Sequence, residues 1–204
     1  MTPVRFRIVG DLSTLPTGET GPRHIAWWGN FGFMLIEGMA FLLAGACYLY
    51  LIGRSPTWPP SSDASPDLLW GTLFTAGILL SEAPNLWLRH AAKAKRETPV
   101  RWLGLAMCLV GMVLAALRAF ELGHLNVRWD QDAYASVVWM LMVLHTTHIL
   151  TELGETAVQT VWLFTHEIGD DQFADVEDDS NYWGFVVIAW LPIYVLIYWV
   201  PRWL

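Results

Sequence analysis

Long apolar runs separated by short polar or proline-rich stretches dominate the chain. Five runs, at about 27–52, 68–88, 102–122, 133–162 and 182–203, reach or exceed the length of about 20 residues that a helix needs to cross a bilayer. Their apolar positions do not alternate with period two, so an outer-membrane barrel is disfavoured. Helices satisfy their own backbone hydrogen bonds in lipid, and the pattern predicts an all-α integral membrane protein built as a bundle of five transmembrane helices. Residues 1–26 form a polar N-terminal segment with Pro3, Pro16 and Pro22, and residues 27–204 form the membrane domain. That first segment lacks the apolar centre of a signal peptide. The 53–67 connection holds Gly53, Pro56, Pro59, Pro60 and Pro66, which interrupt helix.

Composition agrees with the pattern. The chain of 204 residues is 54% hydrophobic and 15% charged, with 13 Trp. A soluble domain of this size has no interior for so much apolar surface. Disorder, a disulfide scaffold and nucleic-acid binding are excluded by the same composition. Cys47 and Cys108 lie in apolar runs and read as buried thiols. Trp27, Trp28, Trp70, Trp87, Trp102, Trp129, Trp183 and Trp203 fall near run ends, as in an interfacial aromatic belt.

Charge supplies an orientation. Residues 89–101 hold Arg89, Lys93, Lys95, Arg96 and Arg101, the densest basic cluster, which reads as a cytoplasmic loop. Alternation then places the N-terminus inside and the C-terminus outside. The net charge of −7 comes from 19 acidic and 12 basic residues, and the seven acids of 166–181 account for the whole excess. That stretch reads as an acidic loop, also on the inner side.

Ionisable residues within the runs are costly in lipid and need partners. Glu37, Glu82, Arg118, Glu121, His145, His148, Glu152 and Glu155 are of this kind. At 100° per residue, positions 145, 148, 152 and 155 share an arc of about 80° on one helix. A rise of about 1.5 Å per residue puts Glu37 about 15 Å from the inner end of its run, and His145 and His148 about 17 and 21 Å from the outer end of theirs. Glu82 falls about 21 Å from the outer end of the second run. Glu37, His145 and His148 are therefore expected to meet, with Glu82 and Glu152 close by. Arg118 and Glu121 lie nearer the outer end and can pair on their own helix. Three readings of the seam stay open: helix-locking hydrogen bonds, a lipid-headgroup or proton-linked role, and a metal site for zinc, iron or manganese using Glu37, Glu82, His145, His148 and Glu152. No HExxH, di-iron, nucleotide or Cys-x-x-Cys pattern is present. Gly32, Gly38, Gly45 and Ala46 in the first run offer close-approach positions for a partner subunit.

Four segments, taken in order, resemble subunit III of haem-copper oxidases (cytochrome c oxidase type) in a five-helix, divergent form. They are WWGNFGFMLIEGMAFLLAGACYLYL with Glu37, LRAFELGHL with Glu121, DAYASVVWMLMVLHTTHIL with His145 and His148, and NYWGFVVIAWLPIYVLIYW. Arg118 stands where the family has Gln, Gly184 and Val187 stand at the family's His and Asp near the last helix start, and Ala135 and Thr146 replace glycines. Glu82, Glu152 and Glu155 are additions. The resemblance implies a non-catalytic subunit of a respiratory oxidase in a bacterial cytoplasmic (inner) membrane. It would stabilise the catalytic subunit, bind phospholipid and support proton uptake. Glu37, Glu121, His145 and His148 would form a lipid- or proton-linked polar cluster. The subunit would carry no cofactor of its own, with haem and copper held by partner subunits. An accessory protein of a nitric oxide reductase and a self-contained membrane metalloprotein are the alternatives. No nucleic acid is implied.

The orientation is directly testable. A cysteine replacing Lys95 is expected to resist an impermeant thiol reagent added outside intact cells, and labelling there would reverse the topology.

Overall fold

The computed structural model describes residues 25–60 and 65–204, so residues 1–24 of the N-terminal segment lie outside the described residues. Five long helices follow one another: α1 (Ile25–Arg54), α2 (Leu68–Lys93), α3 (Glu97–Gly123), α4 (Ala133–Thr165) and α5 (Asp170–Tyr194). The last continues through a π-helical turn at Val195–Trp199 into α6 (Val200–Trp203), ahead of the end of the chain. Pro201 has no N–H to donate, and the widened turn precedes it. α1, α3, α4 and the α5–α6 unit are long and apolar enough to cross a membrane. α2 has 26 residues, but Ser81, Glu82, Asn85 and Arg89 dilute its apolar character.

Capping chemistry sets several boundaries. Asp67 accepts from the Leu69 amide at 3.1 Å and Asp132 from the Ala135 amide at 2.8 Å, each opening a helix. The sequence places a loop at 166–181; the structure turns most of it into the first turns of α5. Gln172 reaches back to the Gly169 amide at 2.8 Å, and Asp170 and Asp171 sit in the first turn, where the helix dipole favours negative charge. Phe173, Val176, Ser180, Trp183 and Val187 are buried at helical spacing, so this acidic stretch is amphipathic helix. The expected 89–101 loop likewise shrinks to Ala94–Arg96, where Lys95 takes a left-handed backbone (φ 52°). Lys95 meets Asp170 at 2.7 Å and Lys93 meets Glu177 at 3.4 Å, so the basic turn and the acidic start of α5 share one end of the bundle. These exposed pairs contribute little stability and mainly fix register.

α2 packs on α3 and α5, α3 on α4, and α4 on α5, forming a tight four-helix unit. α1 lies against α4 and α5 at its edge and buries only Ala44 and Tyr48. A Cβ at Gly38 or Gly45 would lie 3.7 Å from Phe185 or 3.5 Å from Leu196, so these glycines serve packing within the bundle, whereas one at Gly32 would meet nothing within 4 Å. Cys108 is buried and donates to Thr160, but Cys47 is exposed on the outer face of α1, a correction to its reading as a buried thiol. Trp58, beyond α1, folds back and donates to the Tyr48 hydroxyl at 3.0 Å.

The tightest approach is at Gly71, where a Cβ would fall 2.4 Å from the Tyr198 ring. That ring is buried and cannot yield cheaply. Gly71→Ala is expected to cost about 1–3 kcal/mol by overpacking, read as a lowered thermal unfolding midpoint in detergent. Gly29→Ala, with nothing within 4 Å, should leave it unchanged.

Candidate functional site

The polar seam lies along the inward face of α4. Of the expected stripe, His145, His148 and Glu152 are buried there, whereas Glu155 is exposed. The structure divides their partners into two clusters. Phe41 stands between the two histidines, with ring centroids 6.2 Å from His145 and 4.9 Å from His148.

The first cluster centres on Arg118, which is 1% exposed. Its Nη1 donates to Glu121 Oε2 at 2.7 Å and lies 3.5 Å from Met142 Sδ, while Nη2 donates to His145 Nδ1 at 3.0 Å. The guanidinium carbon lies 3.6 Å from the centre of the Phe74 ring and 4.0 Å from that of Trp190, in the corner between two rings inclined at 79°. Aromatic contact of this kind suits a planar, weakly hydrated cation. Tyr198 donates to Glu121 Oε1 at 2.5 Å. His145 Nε2 faces the Val186 carbonyl at 3.0 Å. A guanidinium only donates and a carbonyl only accepts, so His145 carries its proton on Nε2. Arg118 and Glu121 do pair on their own helix, but the expectation that they stand apart from the histidines does not hold. Side-chain reach across the α3–α4 contact outweighs the difference in backbone depth.

The second cluster joins α1 to α4 and α5. His148 Nε2 lies 3.1 Å from Glu37 Oε1, and Tyr182 donates to Glu37 Oε2 at 2.6 Å. His148 Nδ1 bonds the Leu144 carbonyl at 2.6 Å. The Nε2–Glu37 contact therefore has its hydrogen on one partner or the other.

Glu82 is elsewhere. It accepts from Asn85 at 3.2 and 3.3 Å, and Asn85 also donates to the Ser180 carbonyl at 3.0 Å. A Cβ at Gly184 would lie 3.8 Å from Glu82 Oε1, so Glu82 faces α5 at this glycine. The set Glu37, Glu82, His145, His148 and Glu152 is therefore not one site. Among the described residues no group of three His, Cys, Asp or Glu gathers as metal ligands would. Protein atoms already engage both ring nitrogens of each seam histidine.

Glu152 meets a residue that sequence reasoning left in a loop. It lies beside Asp179, which Thr156 also approaches at 3.4 Å. Tyr182, Trp190 and Tyr198 were legible only as interfacial or packing aromatics; no motif marks them as partners of Glu37, Arg118 and Glu121. A cleft of about 1110 Å³ opens between α1 and the α4–α5 pair, with Glu37, His148, Glu152 and Tyr182 in its wall.

With this geometry in place, comparison with known proteins is informative. The profile of the cytochrome c oxidase subunit III family matches residues 33–202. A cytochrome c oxidase subunit 3 from Synechocystis is 26% identical over 197 residues, covering 91% of this chain and 82% of the relative. One from Rhizopus stolonifer is 25% identical over 145 residues, covering 70% of this chain and 50% of the relative. The chain thus spans half the length of the fungal relative. With four apolar helices of crossing length, it is a multi-pass membrane protein.

Breaking the Arg118 cluster should be costly. Arg118→Leu strands the Glu121 carboxyl in the interior and is expected to remove about 3–5 kcal/mol of unfolding free energy. Replacing both residues by Leu should cost less than the two single changes together. Single variants that unfold like the parent protein in detergent would show that the pair carries no such role.

Proposed function

The chain belongs to the cytochrome c oxidase subunit III family, and from that premise we propose that it is the non-catalytic subunit III of a respiratory haem-copper terminal oxidase. In this reading α2 is a fifth span, the N-terminus is cytoplasmic and the C-terminus faces outward, in the cytoplasmic membrane of a bacterium. Haem and copper belong to the partner subunits, and this chain stabilises the catalytic one. The α1–α4–α5 cleft takes a phospholipid, and the Glu37–His148–Tyr182 cluster beside it supports proton entry.

The observation that carries the reading is how the buried polar groups are used. Arg118, Glu121, His145 and Tyr198 bond one another or a backbone carbonyl. This is the chemistry of a scaffold that fixes helix positions. Glu37 and His148 differ, because they line the cleft and can contact whatever occupies it. The extended apolar face of α1, with Leu35, Ile36, Met39, Leu42 and Leu43 exposed, supplies surface for lipid or a neighbouring subunit.

Purification from native membranes in a mild detergent tests the proposal. The chain is expected to elute with a larger haem-bearing subunit, visible in the reduced-minus-oxidised spectrum. A homogeneous native preparation free of haem partners would overturn it.

A further inference from the structure

The face where α2 meets α5 presents apolar side chains outward with one carboxyl among them. Leu79, Glu82 and Leu86 follow one another on α2 at i, i+3 and i+7, and Gly184, Ile188 and Leu191 on α5 at i, i+4 and i+7, so each set shares one helix face. The aliphatic residues of both sets are exposed, while Glu82 is half-buried and faces Gly184 across the seam. A leucine face needs no partner beyond lipid tails, but a carboxyl set into it does.

Its own chain gives that carboxyl little. Asn85 Nδ2 lies 3.2 and 3.3 Å from the two carboxylate oxygens and also donates to the Ser180 carbonyl at 3.0 Å. An amide nitrogen has two hydrogens, so with one on Ser180 a single hydrogen is left for an acid that can accept several. Among the described residues no Lys, Arg or His comes within ion-pair distance of Glu82. Arg89, two turns along the same helix, lies 4.0 Å from Glu177, and Lys93 lies 3.4 Å from that same acid. The open side is at Gly184. A Cβ there would meet Glu82 Oε1 at 3.8 Å and no other atom of a neighbouring helix within 4 Å. The glycine therefore leaves a notch through which the carboxyl is reached from outside the bundle.

Three occupants differ in chemistry. A lipid head group stays at the membrane surface, whereas Glu82 lies about 9 Å inside the inner end of its apolar run. A second copy of this chain, docking by a two-fold axis through this face, would bring its own Glu82 toward this one, like charge to like charge. A transmembrane helix carrying an arginine or lysine supplies the missing donors and the opposite charge, while its apolar side chains pack on Leu79, Leu86 and Ile188.

We propose that the α2–α5 face docks a transmembrane helix of the haem-bearing subunit, with a basic side chain of that helix entering the notch at Gly184 to pair with Glu82. This rests on the reading of the chain as a subunit of a haem-copper oxidase and adds the face and the chemistry that hold the partner. Neither Glu82 nor Gly184 lines the α1–α4–α5 cleft, so docking here is separate from whatever enters the cleft.

Photo-cross-linking in the native complex, with a benzophenone amino acid at the exposed position 188, tests this. Irradiation is expected to join this chain to the haem-bearing subunit, at a membrane span with an arginine or lysine within one helical turn of the adduct. Glu82→Gln is expected to shorten the half-life of the complex in mild detergent at least tenfold, because the basic partner loses its counter-charge. Asp130→Asn, which removes an exposed acid beyond α3, should change it less than twofold. In a complex that still carries its haem subunit, capture of lipid alone, of a second copy of this chain or of nothing would overturn the docking face and leave the subunit reading standing. An adduct on a span with no basic residue within a turn, or an unchanged half-life for Glu82→Gln, would overturn the charge pairing. A native preparation with no haem partner would remove the subunit reading and the docking face with it. The cross-link is read with Glu82 in place, so the test stands even where Glu82→Gln does not assemble.

Discussion

A guanidinium held inside a membrane bundle must find its partners on the protein, and Arg118 finds them on four helices. Phe74 of α2, Glu121 of α3, Met142 and His145 of α4, and Trp190 of α5 all touch it. Tyr198 closes the set from the π-helical turn by donating to Glu121. A lone Arg at this position would be among the most expensive residues in the chain. With these neighbours it fixes the rotation of each helix, because moving any one exposes a buried charge or donor. The glycine contacts follow from the same constraint. Gly71 lets α2 reach the Tyr198 ring, and Gly111 lets α3 close on Leu153 at 2.8 Å from its would-be Cβ.

α1 stands outside that arrangement and is attached by different chemistry. Glu37 bonds His148 and Tyr182, Asn30 donates to the Asp178 carbonyl at 2.9 Å, and Tyr48 packs with Trp58 and Tyr134. These attachments leave an open wedge where α1 diverges from α4 and α5. The molecule therefore combines a closely packed four-helix unit with a more lightly attached fifth helix, and an open cleft lies between them.

Much of this was legible in the sequence because it depends on hydrophobic length and helical period. Five long helices were expected, and four of them start at 25, 68, 97 and 133, against runs expected from about 27, 68, 102 and 133. The stripe of His145, His148 and Glu152 followed from a 100° rotation per residue. The start of α5 did not, because seven acids resemble a solvated loop until the buried positions Phe173, Val176 and Ser180 are recognised as one helix face. That miss also hid Asp179 as the neighbour of Glu152. The joining of Arg118 to His145 was hidden for another reason: depth was measured along backbones, and a long guanidinium side chain ignores a turn of helix. Glu82 was expected at the depth of the seam but accepts from Asn85 on its own helix and faces Gly184 of α5. Depth without azimuth could not separate these cases.

In the proposed role the interior supports redox chemistry performed by partner subunits, with Glu37 as the acid that faces both cleft and histidine. Its most direct test is the turnover time course of the purified oxidase complex carrying Glu37→Gln, measured alongside its haem and copper content. The account predicts unchanged haem and copper and a near-normal initial rate, followed by a faster decline of oxygen consumption than in the parent complex. Loss of a stoichiometric metal in the variant, or a time course indistinguishable from the parent's, would contradict it.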